Sequence, residues 1–143
     1  MNQKNMEQTL NEQVGGTHYK KYNLQPVEFA MKHKLSFCCG NMLKYLVRYK
    51  DKNGVEDLRK VLHYRDLEMI NPVRWWNSCL NISRVNIWCL PSVDDFIMLN
   101  GIDDADVIYC LRLIYDYHLT GKYEYLARLD VKVNVMQSFY KNI

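Results

Sequence analysis

The sequence predicts a mainly α-helical protein: a small helical domain built on a central helix hairpin, followed by a helical C-terminal extension. Apolar residues recur at helical spacing on both sides of one turn, residues 51–54 (DKNG), and residues that typically start and stop helices bracket these runs. The chain has 143 residues, of which 48% are hydrophobic and 24% charged, an ordinary composition for a globular domain.

The first half of the chain contains the hairpin. The predicted elements are a flexible polar arm over 1–14 and helices over 26–34, 37–50 and 55–70. Pro26 suits the first turn of a helix, Ser36 can cap the next one, and Asn71-Pro72 ends the third. Gly54 closes the turn between the two hairpin helices in a left-handed conformation.

The second half, residues 71–143, is predicted as a mostly helical extension. Residues 73–91 (VRWWNSCLNISRVNIWCLP) fit a short helix or a strand, and the pattern leaves both open. Helices are predicted over 93–100, where Ser92 and Asp95 make a capping pattern, and over 103–119. Residues 122–140 favour a helix, although the alternation in VKVNV also allows a strand.

Composition limits the partners. The net charge of +3 is too small to indicate nucleic acid, but it fits an anionic ligand. The five cysteines show no metal-binding spacing and indicate reduced thiols in a cytoplasm. No signal peptide and no apolar run near ~18 residues is present, so we expect no membrane partner.

The two hairpin helices each carry a polar side. One side of the first helix presents Asn41, Lys44, Tyr45, Arg48 and Lys52. The matching side of the second presents Asp57, Lys60, His63 and Tyr64. An antiparallel hairpin brings these sides together, and Arg, Lys and Tyr then suit a phosphate ester that carries a base. Pattern alone favours the simpler interpretation, an ordinary solvated surface.

Arg48 is the residue on which this prediction depends most. Because it lies opposite Leu46 on the helical wheel, Arg48→Ala is predicted to abolish ligand binding while leaving the fold nearly intact. Gly15-Gly16 is not a phosphate-binding loop, since neither GxxxxGK[ST] nor GxGxxG occurs in the chain. Motifs of zinc and serine hydrolases are absent as well.

Two stretches, HYKKYNLQPVEF and FCCGNMLKYLVRYKDKNGVEDLRKVLHY, carry a family resemblance. Together they resemble the SaV-like phage domain family, which includes the nucleotide kinase of autographiviruses, over about residues 15–70. The matching positions are His18-Tyr19, Gln25-Pro26, Gly40-Asn41, Lys44-Tyr45, Arg48, Lys50, Lys52, Gly54, Asp57-Leu58, Lys60 and Tyr64. The resemblance favours a functional site over a solvated surface.

The resemblance implies a phage-encoded nucleotide-binding protein in the cytoplasm of an infected bacterial host. It is related to a nucleoside (deoxy)monophosphate kinase that lacks a P-loop. The predicted catalytic residues are His18, Lys44, Arg48 and Asp57. The predicted ligand-binding residues are His18, Tyr19, Gln25, Glu28, Asn41, Lys44, Tyr45, Arg48, Lys52, Lys60, His63 and Tyr64. The segment from His18 is expected to close over a nucleotide held by the hairpin.

Three functions remain open. A kinase would use ATP with Mg²⁺, which Asp57 or Glu28 would hold, and His18 or His63 would orient the acceptor. A second possibility is a protein that sequesters a nucleotide-derived defence signal with the same cationic residues and no metal. The third is an inhibitor of a host protein, with Trp75, Trp76 and Trp88 as anchors. A homo-oligomer is expected, because a hairpin this small closes a pocket more easily between subunits.

Overall fold

The computed structural model describes residues 5–70 and 89–141, and within these ranges it is mainly α-helical without a strand. The helices are α1 (Met6–Asn11), α2 (Pro26–Lys32), α3 (Phe37–Arg48), α4 (Val55–Ile70), α5 (Val93–Leu99), α6 (Ala105–Thr120) and α7 (Tyr123–Lys141), with one 3₁₀ turn at Tyr49–Asp51. The fold class predicted from the sequence is confirmed.

Helices α3 and α4 form the predicted antiparallel hairpin. At one end, Ser36 caps α3 and its Oγ donates to Glu68 Oε2 near the end of α4, at 2.8 Å. At the other end, Arg48 Nε lies 3.0 Å from Asp57 Oδ2 in the first turn of α4. Gly54 connects the helices with φ +52°, a left-handed conformation that costs glycine little.

The core of the hairpin is completed by the C-terminal helices. Leu46 of α3 and Leu58 of α4 are fully buried, in one cluster with Leu111 of α6 and Leu129 of α7. Helix α6 packs on α3, and α7 packs on α4 and α6. Burial of each such leucine contributes roughly 1.5–3 kcal/mol, so the described part of the extension stabilises the hairpin directly.

The segment before α2 is fixed to the second half of the chain. Asn100 Oδ1 accepts from the Leu24 backbone N at 3.0 Å, and Asn100 Nδ2 donates to the Leu24 carbonyl at 2.8 Å. The Tyr22 hydroxyl donates to the Val47 carbonyl at 2.9 Å. These bonds hold residues 16–24, which we call the His18 segment, beside the C-terminal end of α3.

Two details differ from the sequence prediction. The predicted arm contains α1, whose Asn5 and Gln8 form a reciprocal capping box although no residue of the helix is buried. The helix that follows Ser36 ends at Arg48, and the chain continues as a 3₁₀ turn. The helix favoured over 122–140 is confirmed, because α7 continues through VKVNV and buries Val133 and Met136, and the strand alternative is wrong. The open choice over 73–91 lies mostly outside the described residues.

Two buried histidines lie between α2 and α6. The His33 Nε2 lies 2.6 Å from the Pro91 carbonyl, which fixes the proton on Nε2, and Nδ1 lies 3.3 Å from the Tyr115 hydroxyl. Burial lowers the pKa of His33. Burial, followed by repulsion from His33, lowers the pKa of His118 from 6.5 to about 4.

We expect this pair to make the fold sensitive to acid. Below pH 6.5 His118 is protonated in the unfolded chain but stays neutral in the folded protein. The free energy of unfolding therefore falls as pH falls toward about 4. The slope reaches up to about 1.4 kcal/mol per pH unit for one group. Urea unfolding at pH 7.0, 5.5 and 4.5 measures it. His118→Leu should flatten the dependence, and a curve parallel to the parent would show that His118 is not responsible.

Candidate functional site

The ring of Tyr45 collects cations from both hairpin helices. Its centroid lies 4.5 Å from Lys44 Nζ, 4.6 Å from Arg48 Cζ and 5.4 Å from Lys60 Nζ. Tyr64 of α4 stacks on the same ring at 5.8 Å and 14°. We call these five residues the Tyr45 cluster. The hairpin therefore brings Lys44, Arg48 and Lys60 together as the sequence predicted. Cation–π attraction to the Tyr45 ring offsets part of the repulsion between the three charges.

Arg48 is buried, unlike the surface residue that the helical wheel indicated. Its Nε and Nη2 donate to the two carboxylate oxygens of Asp57 at 3.0 and 3.2 Å, and Nη1 donates to the Tyr19 hydroxyl at 3.0 Å. Arg48 is 9% exposed and Asp57 0% exposed. The expectation that Arg48→Ala leaves the fold nearly intact is therefore corrected: this variant leaves Asp57 buried without its main partner.

The lysines of the site differ in how far their charge is neutralised. Lys60 Nζ lies 2.7 Å from Glu56 and 3.7 Å from Asp57. In contrast, Lys44 and Lys52 make no ion pair within the described residues. A surplus of positive charge next to aromatic rings is an environment that attracts an anion.

The His18 segment covers this cluster from the N-terminal side. Tyr19 bonds to Arg48, and the His18 ring packs on Tyr19 with centroids 4.5 Å apart. Desolvation, followed by the charges of Lys52 and Arg48, lowers the pKa of His18. The lowered pKa favours the neutral form of the His18 ring, which is the form that can accept a proton. The His18 ring also packs closely on the backbone of Gly16, where a Cβ would lie only 3.0 Å from His18 Nδ1.

Part of the chain matches a known protein family. Residues 14–66 match the model of DUF3310, a protein family of unknown function. We call these matched residues the DUF3310 segment. No curated protein and no solved structure matches the chain. The DUF3310 match contains the whole Tyr45 cluster and the His18 segment, and it ends before the C-terminal helices that complete the core. In the described residues, no helix is long and apolar enough to cross a membrane.

Two predicted residues, Gln25 just before α2 and Glu28 within it, have structural partners. Gln25 Nε2 donates to the Leu10 carbonyl at 2.7 Å, a bond that holds α1 against the start of α2. Glu28 pairs with Lys32 one turn later at 2.8 Å. Neither residue forms a hydrogen bond or ion pair with the Tyr45 cluster, although Gln25 lines a cavity together with His18 and Tyr19.

The predicted Mg²⁺ ligands do not fit a metal site in this arrangement. Both oxygens of Asp57 accept from Arg48, and Asn53 Nδ2 lies a further 3.3 Å from Oδ1. The Glu28 carboxylate is engaged by Lys32. Over residues 5–70 and 89–141, no group of three or more histidines, cysteines or acids is placed to hold a metal ion. Asp57 acts as the structural counterion of Arg48.

Asn41 and His63 are the two remaining predicted residues of the hairpin helices. Asn41 Nδ2 donates to the Phe37 carbonyl one turn earlier at 2.8 Å, and its side chain faces a cavity described below. His63 is exposed and packs edge-on to Tyr64 with centroids 5.7 Å apart. Both residues therefore border the cluster without contacting its cations.

Two cavities adjoin on the surface of the DUF3310 segment. One of about 600 Å³ lies between α1, α2 and the His18 segment, and it is lined by His18, Tyr19 and Gln25 among others. The second, of about 520 Å³, lies between α2 and α3 and is lined by Asn41 and Lys44 among others. Val27 and Met31 line both cavities. Their i, i+4 spacing on α2, with half of each side chain exposed, was a signal that the sequence prediction missed.

We expect a bound anion to raise the pKa of His18. An opposite charge within about 4–6 Å of an ionisable group shifts its pKa by roughly one unit or more toward the charged form. Proton NMR titration of the His18 ring, with and without saturating pyrophosphate, measures the change. The buried His118 ring serves as the internal control. An unchanged His18 titration at saturation would place the anion away from the His18 segment.

Proposed function

We propose that this protein binds a nucleotide or a nucleotide-derived ligand through its phosphate at the Tyr45 cluster. The observation that carries the proposal is the convergence of three cations on one aromatic ring, of which Lys44 has no ion pair in the described residues. Phosphate oxygens accept charge-assisted hydrogen bonds from ammonium groups, and such bonds are roughly twice as strong as neutral ones.

The cations have different roles in this proposal. Lys44 and Lys60 contact the phosphate, because their Nζ atoms lie on the Tyr45 ring and their side chains are partly exposed. Arg48 contributes positive charge without contacting the phosphate, since its donors are bonded to Asp57 and Tyr19. Lys52 adds charge near His18, where it is close enough to affect the pKa of that ring.

A phosphotransferase is the activity that the SaV-like resemblance supports. Phosphoryl transfer depends on positioning and on stabilising charge more than on covalent steps. In this proposal His18, whose pKa is lowered by desolvation and by the Lys52 and Arg48 charges, accepts a proton from the phosphate acceptor. ATP with Mg²⁺ would be the donor in such a reaction. Asp57 and Glu28 do not fit as its metal ligands, so no step is assigned to them.

Sequestration of a nucleotide-derived signal is the second candidate. It is favoured by the ion pairs of Asp57 and Glu28, which engage both predicted metal ligands and leave the cations of the Tyr45 cluster in place. Phage origin, the cytoplasm of an infected host and a homo-oligomeric state belong to this proposal as they do to the kinase. The host-inhibitor alternative stays a prediction, since Trp75, Trp76 and Trp88 lie outside the described residues.

One experiment separates these functions. The purified protein is incubated with nucleoside mono-, di- and cyclic phosphates, each with and without ATP and Mg²⁺, and binding is measured by calorimetry and products by mass spectrometry. Binding with product formation supports the phosphotransferase, and binding without product supports sequestration. No binding of any nucleotide by the folded protein would overturn both.

A further inference from the structure

We propose that the cavity of about 520 Å³ between α2 and α3 holds the nucleobase of the ligand, and that Phe37 stacks on the base. This inference rests on the proposed function, because it places the remainder of a ligand whose phosphate lies at the Tyr45 cluster.

Lys44 connects the two parts of the site. Its Nζ lies 4.5 Å from the centre of the Tyr45 ring, and the residue also lines the cavity. A phosphate bound at Lys44 therefore leaves the attached sugar and base at the mouth of this cavity. The larger neighbouring cavity has no lysine or arginine in its lining, so it lacks the cation that would orient a phosphate ester.

A row of aromatic rings connects the Tyr45 cluster with the cavity. Phe37 packs edge-on to Tyr64 at 5.9 Å, and Tyr64 stacks on Tyr45 at 5.8 Å. Phe37 occupies the first position of α3, lines the cavity and has 69% of its surface exposed, so its ring is accessible to a ligand there. Aromatic faces that flank a cationic groove are the common means of binding bases without sequence preference.

The lining of the cavity suits a flat, mostly apolar group. Val27, Ala30 and Met31 provide apolar walls from α2, and Gly40 on α3 adds no side chain on the opposite side. A Cβ at Gly40 would lie 3.5 Å from Ala30 Cβ, so alanine fits there and only a larger side chain fills the space. Ligand cavities are commonly about 300–1,000 Å³, apolar, with a few polar groups that fix orientation.

Asn41 is the polar group in position to read the base edge. Its Nδ2 donates to the Phe37 carbonyl, which fixes the amide, and within the described residues no donor is bonded to its Oδ1. An amide oxygen held in this way accepts a hydrogen bond from an exocyclic amino or ring N–H group of a base.

Phe37→Ala tests the inference directly. We expect it to weaken binding of the tightest nucleotide about five- to a hundredfold, the range found for loss of base stacking, while pyrophosphate binding is unchanged. Lys44→Ala should weaken both ligands. The matched control is Phe139→Ala on α7, because Phe139 is 68% exposed and lies outside the DUF3310 segment. Melting temperatures of all variants confirm that each is folded.

Gly40→Leu provides an independent test by filling the cavity. We expect it to abolish nucleotide binding and to preserve pyrophosphate binding. If the parent binds nucleotides but Phe37→Ala and Gly40→Leu bind them equally well, the cavity is overturned as the base site while the proposed function stands. If the parent binds neither nucleotide nor pyrophosphate, both are overturned. If Phe37→Ala instead dissociates a dimer seen by light scattering, with affinity unchanged, Phe37 belongs to an interface and the inference is wrong.

Discussion

Asp57→Ala is expected to destabilise the fold by roughly 3–5 kcal/mol, the cost of removing one partner from a buried ion pair. Asp57 is fully buried and accepts two bonds from Arg48. Without it, the guanidinium stays in the interior with only the Tyr19 hydroxyl as a bonded acceptor. Domains of this size are stable by only about 5–15 kcal/mol, so this loss is a large fraction of the total stability. Urea denaturation at pH 7 measures the loss.

The matched control is Asp51→Ala. Asp51 pairs with Lys21, but both side chains of that pair are about half exposed, and such pairs contribute about 0–1 kcal/mol. We therefore expect a shift several times smaller than for Asp57→Ala. Equal shifts for the two variants would mean that burial does not distinguish the pairs, which would contradict the structural role assigned to Asp57.

Lys44→Ala is expected to weaken nucleotide binding about ten- to a hundredfold, since a hydrogen bond to a charged group contributes roughly 1.5–3 kcal/mol. The fold should be unaffected, because Lys44 is partly exposed and makes no ion pair in the described residues. Calorimetric titration with the tightest ligand of the nucleotide panel gives the affinity, and thermal melting gives the stability.

Lys122→Ala controls for net charge. Lys122 is exposed at the start of α7, far along the sequence from the DUF3310 segment, and its removal changes the net charge by the same amount. Its affinity should match the parent. Equal weakening in both variants would show that binding depends on overall charge rather than on the Tyr45 cluster.

The hairpin was predictable because its signals are local. Ser36, Gly54 and the apolar spacing around Leu46 and Leu58 fix two helices and the turn between them, and an antiparallel arrangement follows from the short connection. The meeting of Lys44 and Lys60 on one face follows from the same periodicity. The two lysines meet as expected, and the structure adds that they do so on the ring of Tyr45.

Burial was not predictable in the same way. A helical wheel gives the direction of Arg48 and Asp57 but not their depth, which is set by Tyr19 and the rest of the His18 segment folding over them. Asp57 looked like a ligand of a metal or a phosphate because its counterion lies nine positions earlier on another helix.

The cavities depend on the packing between elements and left only faint traces in the sequence. Val27 and Met31 read as ordinary helix residues, and Phe37 as an apolar residue after a cap. Only the packing of α2 on α3 shows that these side chains stay exposed beside a cavity. The short helix α1 was overlooked because its stability comes from the Asn5 and Gln8 caps rather than from an apolar face.

The central claim is that the Tyr45 cluster binds the phosphate of a nucleotide, and a crystal structure with the tightest ligand of the panel tests it most directly. The account predicts a phosphate oxygen within about 3.2 Å of Lys44 Nζ, a charge-assisted hydrogen bond, with Lys60 on the same phosphate. An ordered nucleotide whose phosphate lies elsewhere, with Lys44 and Lys60 facing solvent, would contradict it.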